Sequence, residues 1–389
     1  MEITQANRLA DVPPYLFARI DKIKEEEYAK GKKLISLAIG DPDLPTPDFI
    51  IDRLVSAARK PSNHQYPSYW GMKEFRSAIA NWYGRRFDVD LDPTNEVLGL
   101  IGSKEGIAHI PLAFVNPGER VLCPNPGYPV YSAATILAGG TPAHFDLKKE
   151  NSFLPDISEL EKIVSSGPRV RLLFLNYPNN PTAACATLGF FEEVVAFAKK
   201  HEIIVCHDNA YSEIYFDGKA QPSFLQAKGA KDVGIEFHSV SKTYNMTGWR
   251  IGSAAGNKDV IAGLAQVKTN IDSGPFNACQ EAAIEALENG DAFCTELRQI
   301  YQARRDILVP AIREAGLECP MPEATFYLWT QLKTNQSCED FVLKFIREKG
   351  IVTTPGTGFG SNGQTFVRFT LCNNSEILKQ VAQELKKSI

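Results

Sequence analysis

From Pro47 to about Gly290 the chain alternates two hydrophobic rhythms. Over about 47–60, 71–86, 103–115 and 187–200, apolar residues recur at three- and four-residue intervals, the pattern of helices with one buried face. Between such stretches lie "ERVLCP", "VRLLFLNYP", "EIIVCHD" and "GIEFHSVS", short runs that are apolar almost without interruption. A strand apolar on both faces must be covered on both. The alternation therefore predicts an α/β fold whose large domain has a mainly parallel sheet between layers of helices.

Beyond Asn289-Gly290 the rhythm changes. A long charged helix, "TELRQIYQARRDILVPAIREAG", leads into two strands, "TFYLWTQL" and "TFVRFTL", alternating with helices at about 337–349 and 374–388. This reads as a smaller α+β domain. The stretch from Tyr15 to about Lys30 favours helix and stops at Gly31, as a helix C-terminus does. It precedes the large sheet and is expected to pack with the smaller domain. The expected division is a large domain over 46–289 and a small one over 1–45 and 290–389. No internal repeat, low-complexity tract or long linker interrupts the sequence.

Composition narrows the function. With 44% hydrophobic and 23% charged residues the chain has the make-up of an ordinary globular protein. A formal net charge of −4 lacks the clustered Lys and Arg that phosphate backbones demand, so nucleic acid is not an expected partner. The eight cysteines are scattered, with no CxxC pair, and suggest neither a metal site nor a disulfide framework; a reducing cytoplasm fits them. The opening "MEITQANRLADVPP" has no basic segment followed by an apolar one. No window approaches the roughly 18 apolar residues of a membrane span, so no membrane partner is expected.

Candidate chemistry gathers at strand ends, where open α/β sheets bind ligands. "FLNYPNNPT" delivers Asn180, "VCHDNAY" delivers Asp208 and Tyr211, and "FHSVSK" delivers Ser239, Ser241 and Lys242, with Arg250 eight residues on. An acid can pair with a protonated ring nitrogen and an amine can bond an aldehyde. A phenol and an amide can hold a phenolic oxygen; hydroxyls and an arginine can hold a phosphate. All four needs belong to one cofactor, pyridoxal 5'-phosphate. "IGSKEGIAH" adds Ser103 and Lys104 at a strand-to-helix turn, where free backbone N–H groups favour a phosphate. Singly, each has an ordinary explanation: Asp208 a turn residue, Tyr211 core, Lys242 solvated, Ser103 an N-cap, "NPGYPVY" a proline-braced turn. His207 and His109 are assigned packing or hydrogen bonding alone. The ordered set, each member at a strand end or helix start, is what points to one site.

Through "NYPNNPT", "CHDNAYSEI", "SVSKTYNMTGWRIG" and "FVRFTL" the chain resembles the fold-type I, class I/II pyridoxal-phosphate aminotransferases over nearly its whole length. The resemblance implies that Lys242, Asp208 and Tyr211 form the catalytic set, Lys242 bonding the cofactor aldehyde and Asp208 facing the pyridine nitrogen. Asn180 and Tyr211 would bond the phenolic oxygen and Tyr128 would stack on the ring. Ser103, Lys104, Ser239, Ser241 and Arg250 would hold the phosphate. Tyr66 of "HQYPSYWG" matches a tyrosine lent to the neighbouring subunit, which implies a homodimer, and Arg368 matches the clamp for the substrate α-carboxylate. Amino acids and 2-oxo acids would be the substrates, in a ping-pong exchange.

Within the family, "PPYLFARI", "LAIGDPDLPTP" and "EFHSVSKTYNMTGWRIG" are most similar to LL-diaminopimelate aminotransferases. That likeness adds Tyr15 and Gly40 to Lys104, Tyr128, Asn180 and Arg368 as substrate contacts. It implies transfer between LL-2,6-diaminopimelate and 2-oxoglutarate in lysine biosynthesis. Two positions depart from the pattern: Tyr69 stands where some members carry an acid, and Ser273 falls near where the family has a substrate-contacting Asn. An alanine-type or broad 2-amino acid aminotransferase is the alternative, and a C–S lyase or decarboxylase could use the same cradle. A regulator would need an appended helix-turn-helix, for which the residues before Tyr15 leave no room.

Overall fold

The computed structural model describes residues 1, 3–12, 17–333 and 337–387. Twelve strands are found among them: β1 (Ile35–Ser36), β2 (Val97–Leu100), β3 (Arg120–Asn125), β4 (Thr141–Asp146), β5 (Val170–Asn176), β6 (Ile204–Asp208), β7 (Gly234–Ser239), β8 (Gly252–Gly256), β9 (Tyr327–Gln331), β10 (Ile351–Val352), β11 (Thr354–Pro355) and β12 (Phe366–Thr370). Seven of these form one sheet in the order β2-β8-β7-β6-β5-β3-β4. Only β8 runs against its neighbours; every other pairing in that sheet is parallel. The mainly parallel sheet expected from the apolar runs is present. An interior strand shows why: Leu172, Leu173 and Phe174 of β5 are completely buried, which requires cover on both faces.

Helices supply that cover. On one face Phe75, Trp82, Phe191 and Val194 pack into one apolar cluster, and on the other Ile107, Ile110, Tyr131 and Leu264 pack into a second. The helix Leu188–His201 illustrates the local logic. Thr187 accepts from the Phe190 N–H at its start, and Lys199, Lys200 and His201 lie in its last turn, where cations suit the partial negative charge of the carbonyls.

A third cluster holds the rest together. Ile20 and Ile23 of the helix Phe17–Ala29 belong to it, with Tyr301, Leu308, Phe326, Phe341 and Phe369. It packs around a three-stranded antiparallel sheet, β11-β12-β9, and the parallel pair β1-β10. The helix Asp291–Glu314 begins four residues before the stretch read as its start, directly after Gly290, with Asp291 at its positive end. No helix among the described residues is long and apolar enough to cross a membrane.

Candidate active site

Parallel strands bring their carboxyl ends to one edge. In the register of the large sheet Asn176 pairs with Asp208 and Asp208 with Phe237, so the last residues of β5 and β6 stand side by side and β7 runs two residues further, to Ser239. A cavity opens there, lined by Gly40, Ser103, Lys104, Tyr128, Asn180, Asp208, Tyr211, Ser239, Ser241, Lys242, Arg250 and Arg368. Tyr66 is 89% exposed and does not line the cavity, and Tyr15 lies outside the described residues.

Asp208 is buried beneath the cavity. Its Oδ2 accepts from the Tyr131 hydroxyl at 2.8 Å, whereas Oδ1 is buried with no partner. Burial pushes this carboxyl up to about 6, although the Tyr131 bond and the nearby charge of His207 pull it down. Asn176 braces the backbone beside it. Its Nδ2 donates to the Asp208 carbonyl at 2.7 Å and its Oδ1 accepts from the Asn180 N–H at 2.7 Å. Asn179 takes both the Thr182 N–H and hydroxyl on its Oδ1, so "NYPNNPT" folds into a turn tied by its own side chains.

Lys242 follows β7 directly. Ser239 caps the turn that carries it by accepting from the Ser241 N–H, and Lys242 Nζ donates to the Gly40 carbonyl at 2.9 Å. Burial lowers the pKa of this amine, which favours the neutral form a nucleophile needs. The helix Ser103–Phe114 starts nearby at Gly102, whose φ is +78°. A Cβ on Gly102 would overlap Arg250 Nη2, and one on Gly252 would come within 2.8 Å of the Ser103 nitrogen. Two bare backbones thus let the helix N-terminus and Arg250 share one space.

Arg368 reaches the cavity from β12. Its Nη1 donates to Asn180 Oδ1 and its Nη2 to the Ala38 carbonyl, each at 2.6 Å. Aromatic rings support it, Tyr327 at 4.3 Å and Phe359 at 4.6 Å from the guanidinium carbon. Tyr327 also meets the Tyr211 hydroxyl at 2.9 Å. Sequence reasoning had no role for Tyr131, Asn176, Tyr327 or Phe359. Outside the cavity, Glu105, His109 and Asp272 bring ligand atoms within 4.8 Å of one another, but the buried Lys268 ammonium pairs with both carboxylates and supplies the cation there.

The electrostatics of the lining select a ligand class. Among the described residues of the lining, Lys104, Lys242, Arg250 and Arg368 face a single carboxylate, Asp208, which suits a phosphate together with a substrate carboxylate. The unpartnered Oδ1 of Asp208 fits a protonated ring nitrogen. Amine, acid, phenol and helix N-terminus line one cavity, and that donor set fits pyridoxal phosphate.

The family described as aminotransferase class I and II matches residues 32–385. The LL-diaminopimelate aminotransferase of Nitratidesulfovibrio vulgaris is 52% identical over 383 residues, covering 98% of each chain. That of Aquifex aeolicus is 51% identical over 381 residues, again 98% of each. Among solved structures, an aminotransferase from Staphylococcus aureus superposes with a TM-score of 0.91 at 36% identity over 98% of both chains. From its sheet order to its strand-end residues and its relatives, the chain belongs to the class I and II aminotransferases.

Proposed function

We propose that this aminotransferase exchanges an amino group between LL-2,6-diaminopimelate and 2-oxoglutarate, with pyridoxal phosphate as its cofactor, by a ping-pong mechanism. The observation that carries the substrate is the 52% identity to an LL-diaminopimelate aminotransferase over 98% of both chains. When bound, pyridoxal phosphate supplies an aldehyde that takes up the amino group and a ring that draws electron density from the Cα–H bond.

The chain's own residues do the rest. Lys242 would bond the aldehyde and, once displaced, its Nζ would take the proton from the substrate Cα and later give it up, base then acid. Asp208 would keep the ring nitrogen protonated. Asn180 and Tyr211 would bond the phenolic oxygen, and Tyr128 would stack on the ring. Ser103, Lys104, Ser239, Ser241 and Arg250 hold the phosphate, and Arg368 presents a planar fork to the α-carboxylate. Gly40, with Lys104, Tyr128 and Asn180, borders the substrate. The separate apolar clusters support a large domain over 46–289 and a small one built from both chain ends. The exposure of Tyr66 is consistent with its reaching a neighbouring subunit's phosphate in a homodimer. Eight free thiols support a reducing, cytoplasmic setting.

One observation favours a second reading. Among the described residues that line the cavity, Asp208 is the single carboxylate, and Tyr69, which does not line it, occupies the position where some members of the family carry an acid. An alanine-type or broad 2-amino acid aminotransferase would need no such acid. The test is a half-reaction: cofactor-loaded protein is mixed separately with LL-diaminopimelate, L-glutamate and L-alanine, and loss of the visible band is followed. Rapid loss with diaminopimelate and glutamate supports the first reading; loss with alanine and glutamate alone supports the second. Lys242→Ala should abolish all three while leaving the fold intact by circular dichroism.

A further inference from the structure

Tyr327 stands where several parts of the cavity meet. Its hydroxyl lies 2.9 Å from that of Tyr211, and its ring lies under the Arg368 guanidinium at 4.3 Å. A Cβ on Gly40 would overlap its hydroxyl, so the loop whose carbonyl accepts from Lys242 rests against it. It is 3% exposed and lines the cavity.

The backbone two residues upstream is strained. Thr325, buried and β-branched, has φ +66°, a conformation such residues adopt only where the surroundings over-determine it. Its N–H donates to the Ile214 carbonyl at 2.8 Å and its hydroxyl oxygen accepts from the Tyr327 N–H at 3.0 Å. Ile214 is three residues past Tyr211. The strained turn therefore fixes where β9 enters its sheet relative to the segment carrying Tyr211, and so fixes the phenol pair.

We propose that Tyr327 is a further residue of the reaction centre with two separable parts: its hydroxyl directs the Tyr211 proton toward the cofactor's phenolic oxygen, and its ring holds Arg368 ready for the substrate carboxylate. This rests on the pyridoxal phosphate reading above. A hydroxyl has one proton to give. Tyr211 can donate to the phenolic oxygen only if it accepts from Tyr327, and each bond in such a chain strengthens the next. Burial raises both phenols above their ordinary pKa, so both protons are present at neutral pH. The ring acts on Arg368 as an aromatic face acts on any planar cation.

Tyr327→Phe and Tyr327→Leu separate the two parts. In the cofactor-loaded proteins two quantities are read: the pH midpoint of the bound cofactor's visible band, and the calorimetric dissociation constant for glutarate, a dicarboxylate with no amino group to react. A donor aimed at the phenolic oxygen stabilises its less protonated form, so weakening the donor raises the midpoint. Tyr327→Phe should raise it by roughly 0.2–0.5 pH unit with glutarate binding unchanged. Tyr327→Leu should give the same rise and weaken glutarate about tenfold. An unmoved midpoint in the Phe variant overturns the role of the hydroxyl. Wild-type glutarate affinity in the Leu variant overturns the role of the ring. The Phe substitution preserves shape, and Tyr327→Met serves as a second ringless variant should Leu not fold. A wild-type protein that takes up no pyridoxal phosphate would instead overturn the cofactor reading, an outcome distinct from both.

Discussion

The Tyr131 hydroxyl donates to Asp208 Oδ2 across 2.8 Å from a ring stacked on Phe174 of β5, with centroids 4.8 Å apart and planes 15° apart. The donor is thus fixed by packing against the sheet that carries its acceptor. Because the bond stabilises the anion, it pulls down a carboxyl that burial has pushed up to about 6.

Tyr131→Phe removes that pull. A hydrogen bond to a charged group is worth about 1.5–3 kcal/mol, which corresponds to roughly one to two pH units. The acid limb of kcat/KM for the glutamate half-reaction should move upward by about one unit. A pH profile collected on both proteins checks this. A limb that stayed in place would mean that Asp208 is not the group whose ionisation sets it.

Asp208 also links stability to pH. Its folded-state pKa of about 6 lies above its ordinary 3.8, so its contribution to stability is full below 3.8 and is lost as pH rises through 6. At neutral pH the cofactor-free protein holds a buried anion with one unpartnered oxygen. The gap of about two units sets an upper bound near 3 kcal/mol. Cofactor-free Asp208→Asn should therefore melt above the wild type at pH 7.5, and the difference should vanish near pH 4. Cofactor loading should reverse the order at pH 7.5, since the ring nitrogen then pairs with the carboxylate. A cofactor-free variant that melts below the wild type at neutral pH would show the anion to be compensated.

These residues differ in how far the sequence discloses them. Asn180, Asp208 and Lys242 were legible because Asp208 closes a nearly unbroken apolar run and the other two follow such runs within four residues, and the carboxyl end of a buried parallel strand is where such a sheet opens. Tyr131 and Tyr327 were not, because an aromatic residue in an amphipathic helix or a half-apolar strand reads as core, which both also are. Glu236 marks the limit. Buried in β7, it accepts from Tyr83, His207, Asn209, Ser223 and the Phe224 N–H, partners drawn from segments far apart in the chain. His207 and Asn209, the two neighbours of Asp208, are thereby tied to one carboxylate. Nothing local announces such a hub; only the parallel register of β6 and β7 assembles it.

Arg368→Lys tests the carboxylate clamp. The guanidinium holds Asn180 and the Ala38 carbonyl on separate nitrogens while resting on two rings, which a compact ammonium cannot reproduce. Loss of a charge-assisted bidentate contact should raise KM for the amino acid by roughly 10–100-fold. Affinity for pyridoxal phosphate, measured by fluorescence titration, should stay near the wild-type value. A parallel fall in both would make Arg368 a structural tie between strands instead.

Gly360→Ala probes the strap that follows Phe359, a residue lining the cavity. Gly360 has φ +132°, which side chains other than hydrogen rarely permit, and a Cβ there would overlap Asn125 Oδ1. Asn125 ends β3 of the large sheet. Its Nδ2 donates to the Ser361 hydroxyl at 2.9 Å, and its Oδ1 and carbonyl both accept from Asn362 at 3.2 Å. Asn362 also donates to Asp146 of β4 at 2.7 Å, and the Gly127 N–H donates to the Phe359 carbonyl at 2.7 Å. The strap thus sets Phe359 against Arg368 on one side and is tied on the other to Gly127, the residue before Tyr128. Alanine should raise KM for both the amino acid and the 2-oxo acid, lower kcat little, and cost about 1–3 kcal/mol of stability. Two strains are combined in that figure, and a double-mutant cycle with Asn125→Ala separates them. Removing the Asn125 side chain relieves the overlap but not the backbone angle, so partial recovery of stability assigns the difference to the clash. Recovery of KM as well would mean that Phe359 needs only space, whereas a KM that stays high would locate the effect in the lost Asn125 hydrogen bonds.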